Sequence, residues 1–183
     1  MTASVAIETE RLLLRGFREE DRARYAALVG DPEVGAWLGG TLTREAADAA
    51  FDRAQAAGAR PGLGLWAVER RTDGVVIGEV GLNAVNVALP VAPAIEMSWR
   101  MFPAIWGQGY ASEAATAALA WGLTHLPAGM DLIAFTAMTN HRSQAVMRRI
   151  GLERDPARDF EHPLLAVGHP LRSHIVYAAK SAV

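Results

Sequence analysis

Trp106-Gly107-Gln108-Gly109-Tyr110-Ala111-Ser112-Glu113-Ala114 is the stretch on which the reading of this chain turns. It follows an apolar segment that ends at Met101 and precedes an alanine-rich segment with helical spacing that runs to His125. A strand, a glycine turn and a helix in that order aim backbone N–H groups at one point. Glycines remove the Cβ atoms that would block close approach, and the helix N-terminus adds favourable partial charge. A diphosphate suits such a cradle, although glycines at a strand-to-helix bend also make an ordinary tight turn. The dinucleotide fingerprint needs a third glycine where Ser112 stands, and Asp131 lies before the next strand instead of at its end. No Gly-Lys-Ser/Thr follows, so a kinase-type phosphate loop is excluded as well.

Outward from this loop, the apolar pattern predicts strands at Leu65 to Arg70, Val75 to Leu82 and Ile95 to Met101, separated by Asp73-Gly74 and by Pro90 and Pro93. Upstream, Glu10 to Arg15 reads as a strand, Arg18 to Leu28 as a helix, and a short helical piece follows Asp31-Pro32 and ends near Leu38. Thr43 is the N-cap of a helix through Ala57 that Gly58 and Pro61 stop. Downstream, the helix from Gly109 to His125 stops at Pro127 and Gly129. Leu132 to Met138 is an apolar strand, and Asn140 caps a helix that buries Val146, Met147 and Ile150. Gly151 occupies the left-handed position beyond that helix. Glu153 to Arg172 mixes strand and loop, and His174 to Ala179 is a last strand. This order defines an α+β fold with a mixed sheet.

The bulk properties agree with one domain spanning residues 1 to 183. The chain is 51% apolar, enough for a sizeable core, and no polar linker interrupts it. Net charge is −2 and mixed-sign clusters such as Arg18 to Arg22 give no basic face, which argues against a nucleic-acid partner. With no cysteine, disulfides, thiolate metal sites and a cysteine nucleophile are excluded. The N-terminus lacks a secretory pattern and no segment reaches membrane-spanning length, so a soluble cytoplasmic protein without a membrane partner is expected. His162, His169 and His174 lie in one stretch without a carboxylate-histidine motif, and no bound metal is expected. A serine-hydrolase elbow is absent too.

Trp106 to Ala114, followed by Asn140-His141-Arg142-Ser143-Gln144-Ala145-Val146-Met147-Arg148-Arg149-Ile150-Gly151-Leu152, resembles the two cofactor motifs of the GCN5-related N-acetyltransferase (GNAT) superfamily. Within it, the chain is similar to the branch that acetylates ribosomal-protein N-termini, and Glu8-Thr9-Glu10-Arg11-Leu12-Leu13-Leu14-Arg15 resembles that branch's first strand. The resemblance implies a mostly antiparallel sheet of about seven strands, splayed between the fourth and fifth, with flanking helices. It also implies acetyl-CoA as acyl donor, a primary amine as acceptor (a peptide N-terminus or a small molecule), and a homodimer.

Residue by residue, the resemblance implies that Trp99, Met101 and Phe102 run beside the pantetheine and stabilise the thioester oxyanion through their backbone. It implies that Trp106, Gly107, Gln108, Gly109, Tyr110, Ala111 and Ser112 hold the pyrophosphate, that Asn140 bonds the pantetheine, and that Ser143 lies near the sulfur. Trp106 stands where many relatives have Gln or Arg. Met147 stands where many have a tyrosine that protonates the departing thiolate, which leaves Ser143, solvent or no dedicated acid. Glu96 is the first candidate for general base, because strand alternation puts it opposite Ile95 and Met97. Glu79 is a reserve base that reads as a solvated strand residue, and Glu113 complements the helix dipole. Trp37, Trp66 and Trp99 read as core residues that could also line a substrate pocket. Transfer of another acyl group, modification of a drug, and a CoA-binding sensor without catalysis are the alternatives these motifs leave open.

Overall fold

The computed structural model describes residues 6–57, 63–126 and 129–180. Its strands are β1 (Ile7–Glu8), β2 (Leu12–Arg15), β3 (Gly64–Arg70), β4 (Val75–Ala84), β5 (Ile95–Met101), β6 (Leu132–Ala137), β7 (Glu153–Arg154), β8 (Phe160–Glu161) and β9 (Ser173–Ala178). The helices are α1 (Arg22–Val29), α2 (Pro32–Gly35), α3 (Arg44–Ala57), α4 (Tyr110–His125) and α5 (His141–Arg149). The strands form one sheet in the order β1-β2-β3-β4-β5-β6-β9-β7, with β8 added on β9. Every pair is antiparallel except β5 with β6. The mixed, mostly antiparallel architecture matches the expectation, but the sheet has nine strands among the described residues instead of about seven. The added strands β1, β7 and β8 are two residues long, too short for a period-2 pattern to register. Counted from β2, the splay does fall between the fourth and fifth strands.

Each face of the sheet is covered by a different set of helices. One core joins Leu12, Leu14, Val68, Val80, Leu82, Ile95 and Met97 to the alanine face of α4 and to Val146, Met147 and Ile150 of α5. The small alanines let α4 lie close to the strands. On the opposite face Phe17, Tyr25 and Phe51 meet edge-on, with ring centroids 5.3 to 5.6 Å apart, and bring α1 and α3 down on Ala67 and Val76. A buried ion pair sets the entry of α1. Arg15 donates two bonds to Asp21, at 2.6 and 3.0 Å, and one to Glu69 at 2.6 Å, while Asp21 also accepts the Arg18 N–H.

Several boundaries differ from the sequence reading for local reasons. The predicted helix from Arg18 begins as a 3-10 turn at Glu19–Asp21, because Asp21 is bound to Arg15 and to the Arg18 amide. The reading of Thr43 as an N-cap agrees with its Oγ1, which accepts from Ala46 N at 3.2 Å. Gly151 adopts φ +86°, as its place beyond α5 demands. The predicted stops at Gly58, Pro61 and Pro127 lie outside the described residues. No helix among the described residues is long and apolar enough to cross a membrane. Phe51 is fully buried at the centre of the aromatic triad, so Phe51→Ala is expected to lower unfolding free energy by about 3–5 kcal/mol in a urea titration.

Candidate active site

The cleft begins where β5 and β6 separate. Their parallel pairing is confined to Ile95↔Leu132 and Glu96↔Ile133. Beyond that point β5 stays with β4 as far as Met101, whereas β6 follows β9. Met97 to Met101 therefore has a strand partner on one side only. A cavity of 780 Å³ opens along this free edge and is lined by Glu96 to Met101, by the loop from Ile105, and by residues of α5.

The glycine loop closes one end of the cleft. Gly107 and Gly109 have φ values of +79° and +84°, which reserve both positions for glycine and let the chain turn into α4, whose Tyr110, Ala111 and Ser112 line the cleft. Side chains from distant segments fix the loop. The Trp106 indole N–H donates to the Met101 carbonyl at 2.8 Å, and Arg142 of α5 lies 4.6 Å from the Trp106 ring. Gln108 donates through Nε2 to Ala104 O, and Arg11 donates to Gln108 O while resting over the Tyr110 ring at 4.4 Å. Glu113 does more than complement a helix dipole. It accepts from Thr9 Oγ1 at 2.6 Å, from Arg11 N at 2.9 Å and from Arg11 Nε at 2.6 Å, so the N-terminal segment is fastened to the first turn of α4.

At the N-terminus of α5, the Asn140 side chain is engaged within the protein. Its Oδ1 accepts from Ser143 N at 3.2 Å and its Nδ2 donates to Thr136 Oγ1 at 3.1 Å. Ser143 lines the cleft, as do Trp99, Met101, Trp106, Gly107, Gly109, Tyr110, Ala111 and Ser112. Phe102 and Gln108 are beside this wall, and Arg24 packs over the Phe102 ring at 4.3 Å. Met147 is buried in the core and touches the cleft with a side chain that holds no ionisable proton.

The carboxylates lie on the other face. Cross-strand partners share a face, so Ala67, Glu79 and Arg100 point together toward α1 and α3, and alternation adds Ser98 and Glu96 to them. Glu79 is not a solvated strand residue. It is 2% exposed, held to Arg100 Nη1 at 2.6 Å, and its second oxygen is buried without a partner among the described residues. Burial pushes its carboxyl above the usual range and the Arg100 guanidinium opposes that rise. For Glu96 burial also dominates, and with Arg100 opposing, its carboxyl is pushed up to about 7.

Around Glu96 stands a wall that sequence reading did not assemble. The pairing of Glu96 with Ile133 puts Phe135 on the same face, and the β6–β9 register adds His174. His162 is 5.0 Å from His174, whose ring stacks on Phe160 at 5.3 Å. Burial pushes both imidazoles below their ordinary range, and His162 Nδ1 is buried without a partner among the described residues. Val34 of α2, Trp37 and Leu38 close the wall from above, together with Leu165 and Leu171. Period-2 alternation along β6 and β9 is the signal that links Phe135 and His174 to Glu96, but it needs the strand pairing to be read. Of the other tryptophans, Trp66 packs edge-on to Trp121 inside the core, whereas Trp37 and Trp99 line the cleft. No group of three or more potential metal ligands occurs among the described residues.

Comparison with known proteins agrees with this geometry. The family model for the acetyltransferase (GNAT) domain matches residues 11–153. The chain belongs to the GNAT acetyltransferase family and is an acyltransferase; the fold in this family uses acetyl-CoA. The structure of a GNAT-family acetyltransferase from Bacillus anthracis superposes with a TM-score of 0.78 at 24% identity, covering 96% of this chain and 98% of that one. Mycobacterium smegmatis RimJ, solved in complex with CoA-disulfide, superposes with a TM-score of 0.74 at 17% identity, covering 96% of this chain and 87% of that one. The uncharacterized N-acetyltransferase YoaA of Bacillus subtilis (strain 168) is 26% identical over 154 residues, which are 81% of this chain and 83% of the relative.

Because Gly109 sits at φ +84°, Gly109→Ala places a Cβ in the left-handed region and is expected to cost about 1–2 kcal/mol, read as a lower midpoint in thermal unfolding.

Proposed function

We propose that this chain moves the acetyl group of acetyl-CoA to a primary amine by direct attack, with Glu96 as general base, in one catalytic domain. The observation that carries this reading is the position of Glu96: it occupies the last paired position before β5 and β6 part, on the face opposite α4, with its carboxyl pushed up to about 7. The residues present fit the donor. Gly107 and Gly109 open a cradle at the N-terminus of α4, suited to a diphosphate, and Met97 to Met101 offers a free strand edge to an extended amide-bearing arm. The CoA-disulfide complex of RimJ, a protein of similar fold, supports the same assignment. Asn140 contributes by holding Ser143 and the start of α5 in place, beside the predicted contact with the pantetheine arm.

Bound acetyl-CoA supplies a thioester carbonyl as electrophile. Backbone amides of β5 orient that carbonyl at the free strand edge. The acceptor enters from the α1–α3 side, and Glu96 takes a proton from its ammonium form. A carboxylate titrating near 7 suits this task, because about half of it is ionised at pH 7 and it is basic enough to receive the proton. An α-amino group near pKa 8 is roughly a tenth neutral at pH 7, whereas a lysine amine near 10.4 is neutral to less than about one part in a thousand, so the latter depends more on Glu96. Met147 has no proton to give, and the departing thiolate takes one from Ser143 or from solvent.

In wild-type protein kcat/KM should rise with pH through about 7 as Glu96 ionises. In Glu96→Gln this limb should move up to the acceptor's own pKa, and the rate at pH 7 should fall roughly 10²- to 10⁴-fold. A thiol-release assay from pH 5.5 to 9.5 measures both effects, and an unchanged limb would remove Glu96 from the mechanism. Calorimetry with acetyl-CoA tests the donor independently: binding without amine-dependent thiol release would mark a sensor, and no binding would defeat the assignment.

A further inference from the structure

The lining of the cleft divides at the splay into a part on the Glu96 face of the sheet, the Glu96 lobe, and a part around the glycine loop, and the two differ chemically. The walls of the Glu96 lobe come from Trp37, Phe135, His174, Leu165 and Leu171. Of the four charged side chains that line the cavity among the described residues, Arg142 and Arg149 belong to α5 on the loop side, and Glu96 and Arg100 belong to this face, with Arg100 already held by the buried carboxylate of Glu79 at 2.6 Å. His162 and His174 are kept toward the neutral form by burial. The rim continues the apolar character. Leu38 is 50% exposed, and Leu165 approaches Gly39 across the mouth.

We propose that this lobe selects primary amines whose carbon skeleton is apolar or aromatic and carries no second charge, with Glu96 at its closed end and Trp37, Phe135, His174 and Leu165 as its walls. The inference rests on the transfer reading above and narrows its acceptor. One ammonium group is matched by Glu96, at the point where β5 and β6 still pair. A second ammonium group on the same molecule would be buried among aromatic rings and neutral imidazoles with no counter-charge, and a carboxylate would meet an arginine that already has a partner. An apolar skeleton gains from the same walls, and an aromatic one can also pack edge-on against Phe135 and Trp37.

The test compares 2-phenylethylamine, 1,4-diaminobutane and the C-terminally amidated tripeptides Phe-Gly-Gly-amide and Asp-Gly-Gly-amide as acceptors, with thiol release from acetyl-CoA as readout. The apolar member of each pair is expected to have a kcat/KM at least tenfold higher than its charged counterpart. The free-amine and peptide arms distinguish an apolar group on a small molecule from one on a peptide terminus. Equal rates within both pairs, or a preference for the dication or the acid, would overturn the proposal. If no amine releases thiol, the transfer reading fails, and calorimetry of the same compounds on CoA-loaded protein judges the lobe: the same tenfold order supports the proposal and equal affinities overturn it. The variant Leu165→Glu adds a counter-charge at the wall. It is expected to shift the ratio of diaminobutane to phenylethylamine at least tenfold toward the diamine, mainly through KM, and an unchanged ratio would overturn the placement.

Discussion

Between β5 and β6 the sheet is held by two residue pairs and then parts, and most of the molecule can be understood from that separation. Pairing at Ile95 and Glu96 fixes where the cleft closes, while continued pairing of β5 with β4 through Met101 keeps the free edge straight. A free edge is unstable as an internal feature, because its N–H and C=O groups need partners. Here the edge is bordered by the glycine loop on one side and α5 on the other, so it faces a ligand-sized cavity instead of another strand. The parallel geometry also requires a long crossover between the two strands, and α4 supplies it together with the loop that precedes it.

Charge is distributed in keeping with this division. The buried polar side chains among the described residues are Arg15, Asp21, Glu79 and Asn140. Arg15 and Asp21 pair with each other and hold α1 against the sheet, a structural task remote from the cleft. Glu79 anchors Arg100, and Asn140 starts α5, so both set the position of groups that line the cavity. Glu96 forms no salt bridge among the described residues, and burial, opposed by Arg100, raises its titration.

Much of this was legible from the residues in order. Asn140 and Gly151 announce the two ends of α5 by capping chemistry, and Ile95 to Met101 has the same bounds in sequence and structure. Gly107 and Gly109 could be read as a ligand loop only with their spacing to the second motif, since glycine turns alone are common. What was not legible depended on strand pairing. Glu79 is polar in an otherwise apolar run, and only its register with Arg100 shows why it can be buried. Phe135, His162 and His174 are distant in sequence and become one wall because β6, β8 and β9 are neighbours. The two-residue strands β7 and β8 fall within the stretch expected to mix strand and loop, but like β1 they could not be bounded, because they are defined by their partners and have no pattern of their own.

The triangle of Thr9, Arg11 and Glu113 ties the edge of the sheet to the first turn of α4, and Arg11 reaches on to the carbonyl of Gln108. The N-terminal segment is therefore part of the glycine loop's scaffold although about a hundred residues separate them along the chain. A fluctuation that frees this edge strand would also release the loop, and any occupant of the loop that requires it to be in place would suppress that fluctuation. Release of this edge strand and occupancy of the loop are thus a single thermodynamic equilibrium.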